Sequence, residues 1–343
     1  MKAGKFGMSG TLFSIFLASA SVKADLVVLQ YHHISDTTPP STSTSASLFN
    51  AQLDLVSELG LEVVDLHDAT ENQFSDDPST KQRIAITFDD AYESVYTKGA
   101  EILRKRGLPY TIFVDTAAIG SHGYMTWQQL EELAKRDGVT IANHSSGHGH
   151  LARRPEEAEG DWKKRITHSL DTAQAELKRR LGADLPLFAY PYGEFDEALE
   201  AEVAKRSWYG YGQQSGAIGP LSGQTRLPRF PMANTYGQLE GLRDKLTSKA
   251  FPIDTGKLPD GIMDENPPTL TLPLVDEIQP SRLTCFASGM GRIDFDVLDD
   301  SISITAPGPF NSRRFRYNCT HPAQGGGFYW LSQQWLDLSQ PED

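Results

Sequence analysis

Thr87-Phe88-Asp89-Asp90 ends an apolar run on two adjacent carboxylates, and His144-Ser145-Ser146-Gly147-His148 sets two imidazoles four residues apart. One carboxylate and two imidazoles can hold a divalent cation and leave a position open for water, while the second carboxylate is free to act as a base. Oxygen and nitrogen donors in this mixture suit Zn²⁺, and also Co²⁺ or Ni²⁺. Adjacent aspartates at a strand end diverge, because successive side chains point to opposite sides. Asp90 can then bind a metal while Asp89 addresses the bound water. One helical turn would put His144 and His148 on a common face. His150, in the same segment, reads as a solvated neighbour rather than a ligand.

Groups so far apart in sequence need a scaffold that gathers strand ends. Between residues 25 and about 250, apolar runs at Leu26–Gln30, Leu61–Val64, Ile84–Phe88, Tyr110–Val114, Val139–Ala142 and Leu187–Tyr190 predict strands. Helical patterns lie near 48–59, 93–106, 126–136, 156–181, 196–206 and 236–247. This alternation predicts an α/β fold with a mainly parallel sheet, open or closed into a barrel. In a barrel the C-terminal ends of the strands share one face. His32, Asp89 with Asp90, His144 and Pro191-Tyr192-Gly193 each follow such a run, so four strands deliver polar groups to one mouth. Residues 36–47 and 68–81 read as polar surface loops, the first bordering a possible substrate groove.

These motifs resemble the first three motifs of NodB-type polysaccharide deacetylases: Thr87-Phe88-Asp89-Asp90, His144-x-x-x-His148 and Tyr190-Pro191-Tyr192-Gly193. The resemblance covers about residues 25–250, and it implies a deformed (β/α) barrel that removes acetyl groups from N-acetylglucosamine polymers. The early Tyr31-His32-His33-Ile34 is similar to the branch that includes poly-N-acetylglucosamine deacetylases of biofilms. The resemblance implies Asp89 as general base, Asp90, His144 and His148 as metal ligands, and the backbone N–H of Tyr192 as an oxyanion donor. Pro191, Tyr192, Tyr92 and Tyr236 are the expected substrate contacts. Tyr124 and Trp127 are further aromatic candidates, with Trp127 the weakest because it lies early in a predicted helix.

Two departures matter. The family's third motif usually begins with an arginine that steadies the base, and Ala189 stands there; Arg229 is the expected replacement, with Arg226 behind it. The family also takes a general acid from a Leu-x-His late in the barrel, and no histidine occurs between His168 and His321. A rearranged strand order would supply His32 instead, with His33 in reserve.

The chain ends of this scheme read differently. Lys2, Lys5 and the apolar stretch 11–22 look like a signal peptide over residues 1–24, cut before Asp25. The stretch is shorter than the roughly 18–20 residues a spanning helix needs, so no membrane span is expected after cleavage and the protein is expected in the periplasm or medium. Removing 24 of 343 residues leaves 319, and the loss of three lysines moves the net charge from −13 to −16. That acidity argues against nucleic acid and anionic lipid as partners and suits a neutral or cationic polymer. Residues 25–250 form the expected deacetylase domain, the Pro- and Gly-rich 251–268 a linker, and 269–343 a small sandwich-like all-β domain. Cys285 and Cys319 predict one disulfide in it. Trp330, Trp335, Phe328 and Tyr329 there are candidates for sugar stacking. The competing functions are a sugar-binding protein that kept the barrel and lost the chemistry, and a metal-dependent hydrolase of another acyl or ester bond.

Overall fold

The computed structural model describes residues 24–342. The expected signal peptide over 1–24 lies outside them, apart from its last residue. Strands Leu26–Tyr31, Arg83–Phe88, Tyr110–Val114, Val139–Asn143, Leu187–Ala189 and Tyr209–Tyr211 lie side by side in that order, all parallel. The first four are apolar and almost wholly buried, as a sheet covered on both faces requires. Ala217–Ile218 adds an antiparallel edge beside Leu26 and Val27.

The sheet curls, and one short segment ties its ends together. Leu227 bridges in parallel to Tyr211 in the last strand, while Phe230–Pro231 pairs in parallel with Leu29–Gln30 in the first. Arg229 sits between those two attachments. Its own backbone N–H donates to Gln214 O at 2.9 Å, so the guanidinium is launched from a fixed point.

The helices follow local chemistry. Thr126 and Gln129 form a reciprocal capping box at the start of Trp127–Ala134, and Gly182 in the left-handed region stops Glu159–Leu181. Three expectations need correction. Residues 68–81, read as loop, begin inside a helix over Leu66–Gln73, because Asp65 caps it through His67 N and Asp68 N. The helix expected over 93–106 opens with a π-helical stretch, Val95–Gly99, before Ala100–Arg106. The helix expected over 236–247 is reduced to Leu242–Leu246.

The C-terminal strands form two packed sheets around an apolar core that includes Leu270, Ile302, Phe315, Tyr317 and Trp335. Cys285 and Cys319, opposite each other on paired strands, form the disulfide. Lys249–Ala250 pairs with Tyr329–Trp330, and Trp330 packs edge-on to Phe230 at 5.1 Å. The β-rich part is therefore joined to the curled sheet through side chains close to its mouth.

Candidate metal centre

Asp90, His144 and His148 come together at the C-terminal ends of two non-adjacent strands, each able to offer one ligand atom within 4.8 Å of the others. His144 Nε2 and His148 Nε2 lie 3.3 and 3.2 Å from Asp90 Oδ1. The His144 ring is oriented from behind. Its Nδ1 is 2.7 Å from the Ala189 carbonyl, which can only accept, so Nδ1 carries the proton and Nε2 presents a lone pair to the cluster. Asp90 Oδ1 and His144 Nε2 are both buried without a hydrogen-bond partner. Buried acceptors left facing one another are costly, and a divalent cation between them resolves the conflict. The residues present therefore fit such an ion.

The segment carrying the histidines is not a helical turn. It is an irregular loop with left-handed backbone at Ser145, Gly147 and His148. Asp115 anchors it by accepting from Gly147 N at 2.7 Å. Asp90, Ala91 and Tyr192 also hold positive φ, a conformation that costs non-glycine residues energy. Of the seven such residues in the described chain, five lie at this mouth, which concentrates backbone strain there.

Asp89 points away from the cluster's centre into a separate clamp. Arg229 donates to its two oxygens at 2.7 and 2.8 Å, and Gln30 Nε2 donates to Oδ2 at 2.6 Å. Burial alone would raise the Asp89 carboxyl; the Arg229 and His144 charges outweigh it and bring it down to about 2. His32 Nε2 stands 4.0 Å from Asp89 Oδ2, with the ring partly open to the groove. His33 turns the other way and stacks on Tyr92 at 3.6 Å.

The Pro191-Tyr192-Gly193 turn completes the mouth. Tyr192 has φ 57° and ψ 0°, and Gly193 has φ 70° where a Cβ would come within 2.6 Å of Gln213. Pro191, an expected substrate contact, is buried beneath the turn and does not line the groove, because it forms the first position of the 3₁₀ turn. His150, expected to be solvated, is also buried: its ring stacks on Tyr192 at 4.1 Å and its Nδ1 meets Glu194 Oε2 at 2.9 Å. Glu194 also receives Arg313 and Arg314 from the C-terminal sheet, at 2.9 and 2.8 Å.

A cavity of about 900 Å³ opens over this centre. His32, Asp90, His148, Tyr92, Tyr192 and Tyr236 line it, with Ser41 and Thr42 from the polar loop. Phe286, Arg314, Arg316, Phe328 and Trp330 of the C-terminal sheet line it as well. Trp127 is elsewhere, under the Arg180 guanidinium at 4.4 Å, and Arg226 is paired with Glu200 away from Asp89. The sequence reading missed Gln30, Glu194 and the arginines of residues 313–316. Gln30 is a lone polar residue inside an apolar strand run, a signal that was available.

A family profile described as polysaccharide deacetylase matches residues 76–209, which carry Asp89, Asp90, His144, His148 and Tyr192. Over that segment the chain is similar to the polysaccharide deacetylase family. YxkH of Bacillus subtilis (strain 168) is 25% identical over 211 residues, 60% of this chain and 71% of its own. The poly-β-1,6-N-acetyl-D-glucosamine N-deacetylase of Escherichia coli (strain K12) is 22% identical over 283 residues, 70% of this chain but 42% of its own. Among solved structures, IcaB from Ammonifex degensii superposes with a TM-score of 0.55 at 22% identity, covering 64% of this chain and 95% of that one. The polysaccharide deacetylase profile reaches neither His32 nor Arg229, and it stops before the C-terminal sheets. Among the described residues no helix is long and apolar enough to cross a membrane.

Proposed function

We propose that this protein is a polysaccharide deacetylase that hydrolyses N-acetyl groups on a polymer containing N-acetylglucosamine, with Asp89 as general base and His32 as general acid. The carrying observation is the division of labour between two adjacent aspartates: Asp90 joins two imidazoles, and Asp89 is clamped apart from them by Arg229. A carbohydrate-binding protein would have no need of a buried, held carboxylate beside a cation site. Similarity to poly-β-1,6-N-acetyl-D-glucosamine N-deacetylases supports the substrate class.

Asp90, His144 and His148 would hold a divalent cation, with Zn²⁺ best suited to the donors. When bound, such an ion supplies Lewis acidity and an acidified water. This chain's own residues do the rest. Asp89 accepts the proton of the attacking water, and Arg229 with Gln30 keeps its lone pairs aimed. The Tyr192 backbone N–H stabilises the negative charge that develops on the acetyl oxygen. His32 delivers a proton to the sugar nitrogen as the carbon–nitrogen bond breaks, freeing acetate. Tyr92 and Tyr236 hold the sugar in the groove.

The disulfide supports work in an oxidising compartment, consistent with export. The test is acetate release from N-acetylglucosamine oligomers, as purified, after chelation, and after Zn²⁺ or Co²⁺ is restored. Activity that disappears and returns supports the reading. Metal retained with no acetate from any oligomer sinks it.

A further inference from the structure

The strand Arg314–Pro322 alternates strictly along its length. Phe315, Tyr317, Cys319 and His321 are buried, while Arg314, Arg316, Asn318 and Thr320 are half-exposed. Period-two alternation sends the second set to a single face, and all four of its members line the cavity that contains Asp90 and His148. Phe286, on the neighbouring strand opposite Asn318, lies 40% exposed in the same wall. The wall thus offers polar side chains at a sheet's fixed spacing beside an exposed aromatic ring.

The two arginines differ in how they are satisfied. Arg314 pairs with Glu194 and lies 5.1 Å from the centre of the Tyr192 ring. Arg316 has no carboxylate within ion-pair distance and no hydrogen-bond acceptor for its guanidinium among the described residues. Burial brings Arg316 down to about 10, against the favourable interaction with Tyr236 and with a smaller contribution from the Arg314 charge. Of the two arginines that line the groove, Arg314 is therefore held by a carboxylate and Arg316 is not. A planar guanidinium fork matches a carboxylate through two parallel hydrogen bonds.

We propose that this wall is a subsite for an acidic sugar of the polymer, whose carboxylate is received by Arg316 while the N-acetylated neighbour reaches the metal centre. The proposal takes the reaction from the deacetylase reading, but the binding it describes can be measured without turnover. The overall negative charge of the protein repels anions at long range, so the selection is local and made by contact.

The test is calorimetric titration of the metal-loaded Asp89→Asn protein, which binds without consuming its ligand. The probes are an oligosaccharide alternating N-acetylglucosamine with hexuronate, a neutral N-acetylglucosamine oligomer of equal length, and free acetate. Charge-assisted hydrogen bonding predicts about ten- to hundredfold tighter binding of the uronate oligomer. Adding Arg316→Gln should bring the two oligomers to within about twofold, and Arg316→Lys should keep part of the preference. Equal affinities in the parent protein, or a preference that survives Arg316→Gln, overturn the proposal. Acetate binding as tightly as the uronate oligomer also overturns it, because the arginine would then serve a small product. Should Arg316→Gln fail to fold, salt decides: affinity for the uronate oligomer must fall with ionic strength while that for the neutral one holds. Failure to release acetate from neutral oligomers would remove the deacetylase reading alone and leave this binding ratio to stand or fall.

Discussion

Arg229 grips Asp89 by both carboxylate oxygens across 140 residues of sequence, and both side chains are wholly buried. The segment that ties the curled sheet's ends together delivers it, and its Nε donates to Gly212 O at 2.9 Å, which fixes the plane of the fork. An arginine usually placed two residues before the Pro191 position would reach the base from the Leu187–Ala189 strand; here it comes from the segment between the last and first strands. Removing one partner of a buried pair strands the other, at about 3–5 kcal/mol. Arg229→Ala should therefore lower the chemical or thermal unfolding free energy by about that much and reduce kcat by roughly 10²-fold, as misplaced catalytic groups do. Arg229→Lys, a point charge without the fork, should recover part of the stability and little of the rate. Wild-type kcat in Arg229→Ala would refute the positioning role.

Asp89 and Asp90 are neighbours with separable jobs. Asp89→Asn should retain about the same metal per chain and lose roughly 10²–10⁴-fold in turnover, the usual worth of a general base. His144→Ala or Asp90→Ala should lose both metal and activity, because each removes one of the three converging donors. Metal content by elemental analysis, beside acetate release, separates the two classes. Loss of metal from Asp89→Asn would mean that the base and the ligand set are not distinct.

Much of this site was legible in sequence because it follows strand ends. Apolar runs placed Asp89, His144, Tyr192 and His32 at one mouth, and the structure finds them there. The loop joining His144 to His148 was misread as helical because a four-residue spacing also fits a turn built on Gly147 at φ 95°. His150 was misread as solvated because its partner, Glu194, lies 44 residues away, and burial by a distant element leaves no mark on local pattern. Residues 269–343 read as β-rich, yet nothing in the sequence said that one face of Arg314–Pro322 lines the same cavity as the metal centre.

The disulfide closes a separation of 34 residues between adjacent strands of the C-terminal sheet. Loop-closure entropy over that span puts its contribution at roughly 2–4 kcal/mol. Reduction, or paired Cys285→Ser and Cys319→Ser, should lower the thermal midpoint of unfolding. Because the same strand carries Arg314 and Arg316, affinity for oligosaccharide should fall with it while metal content holds. Unchanged oligosaccharide affinity after reduction would show that the wall keeps its shape unaided.

Glu194 joins the barrel to the C-terminal sheet by accepting from His150, Arg313 and Arg314. Burial acts first to raise its carboxyl, but the hydrogen bonds from Arg313, His150 and Arg314 prevail and hold it below the ordinary glutamate value of 4.5. A depressed folded-state value means that the unfolded chain binds the proton more readily. The stabilisation is thus full above pH 4.5 and lost as pH falls from there through the folded-state value. Glu194→Gln should cost about 3–5 kcal/mol at pH 7, since it leaves Arg313 buried against a neutral amide. Below pH 4.5 the gap between wild type and variant should narrow, as the wild-type carboxyl takes up its own proton. Denaturant unfolding from pH 7 down to 3 measures both curves. Parallel curves over that range would show that Glu194 is not the charge that braces the two parts.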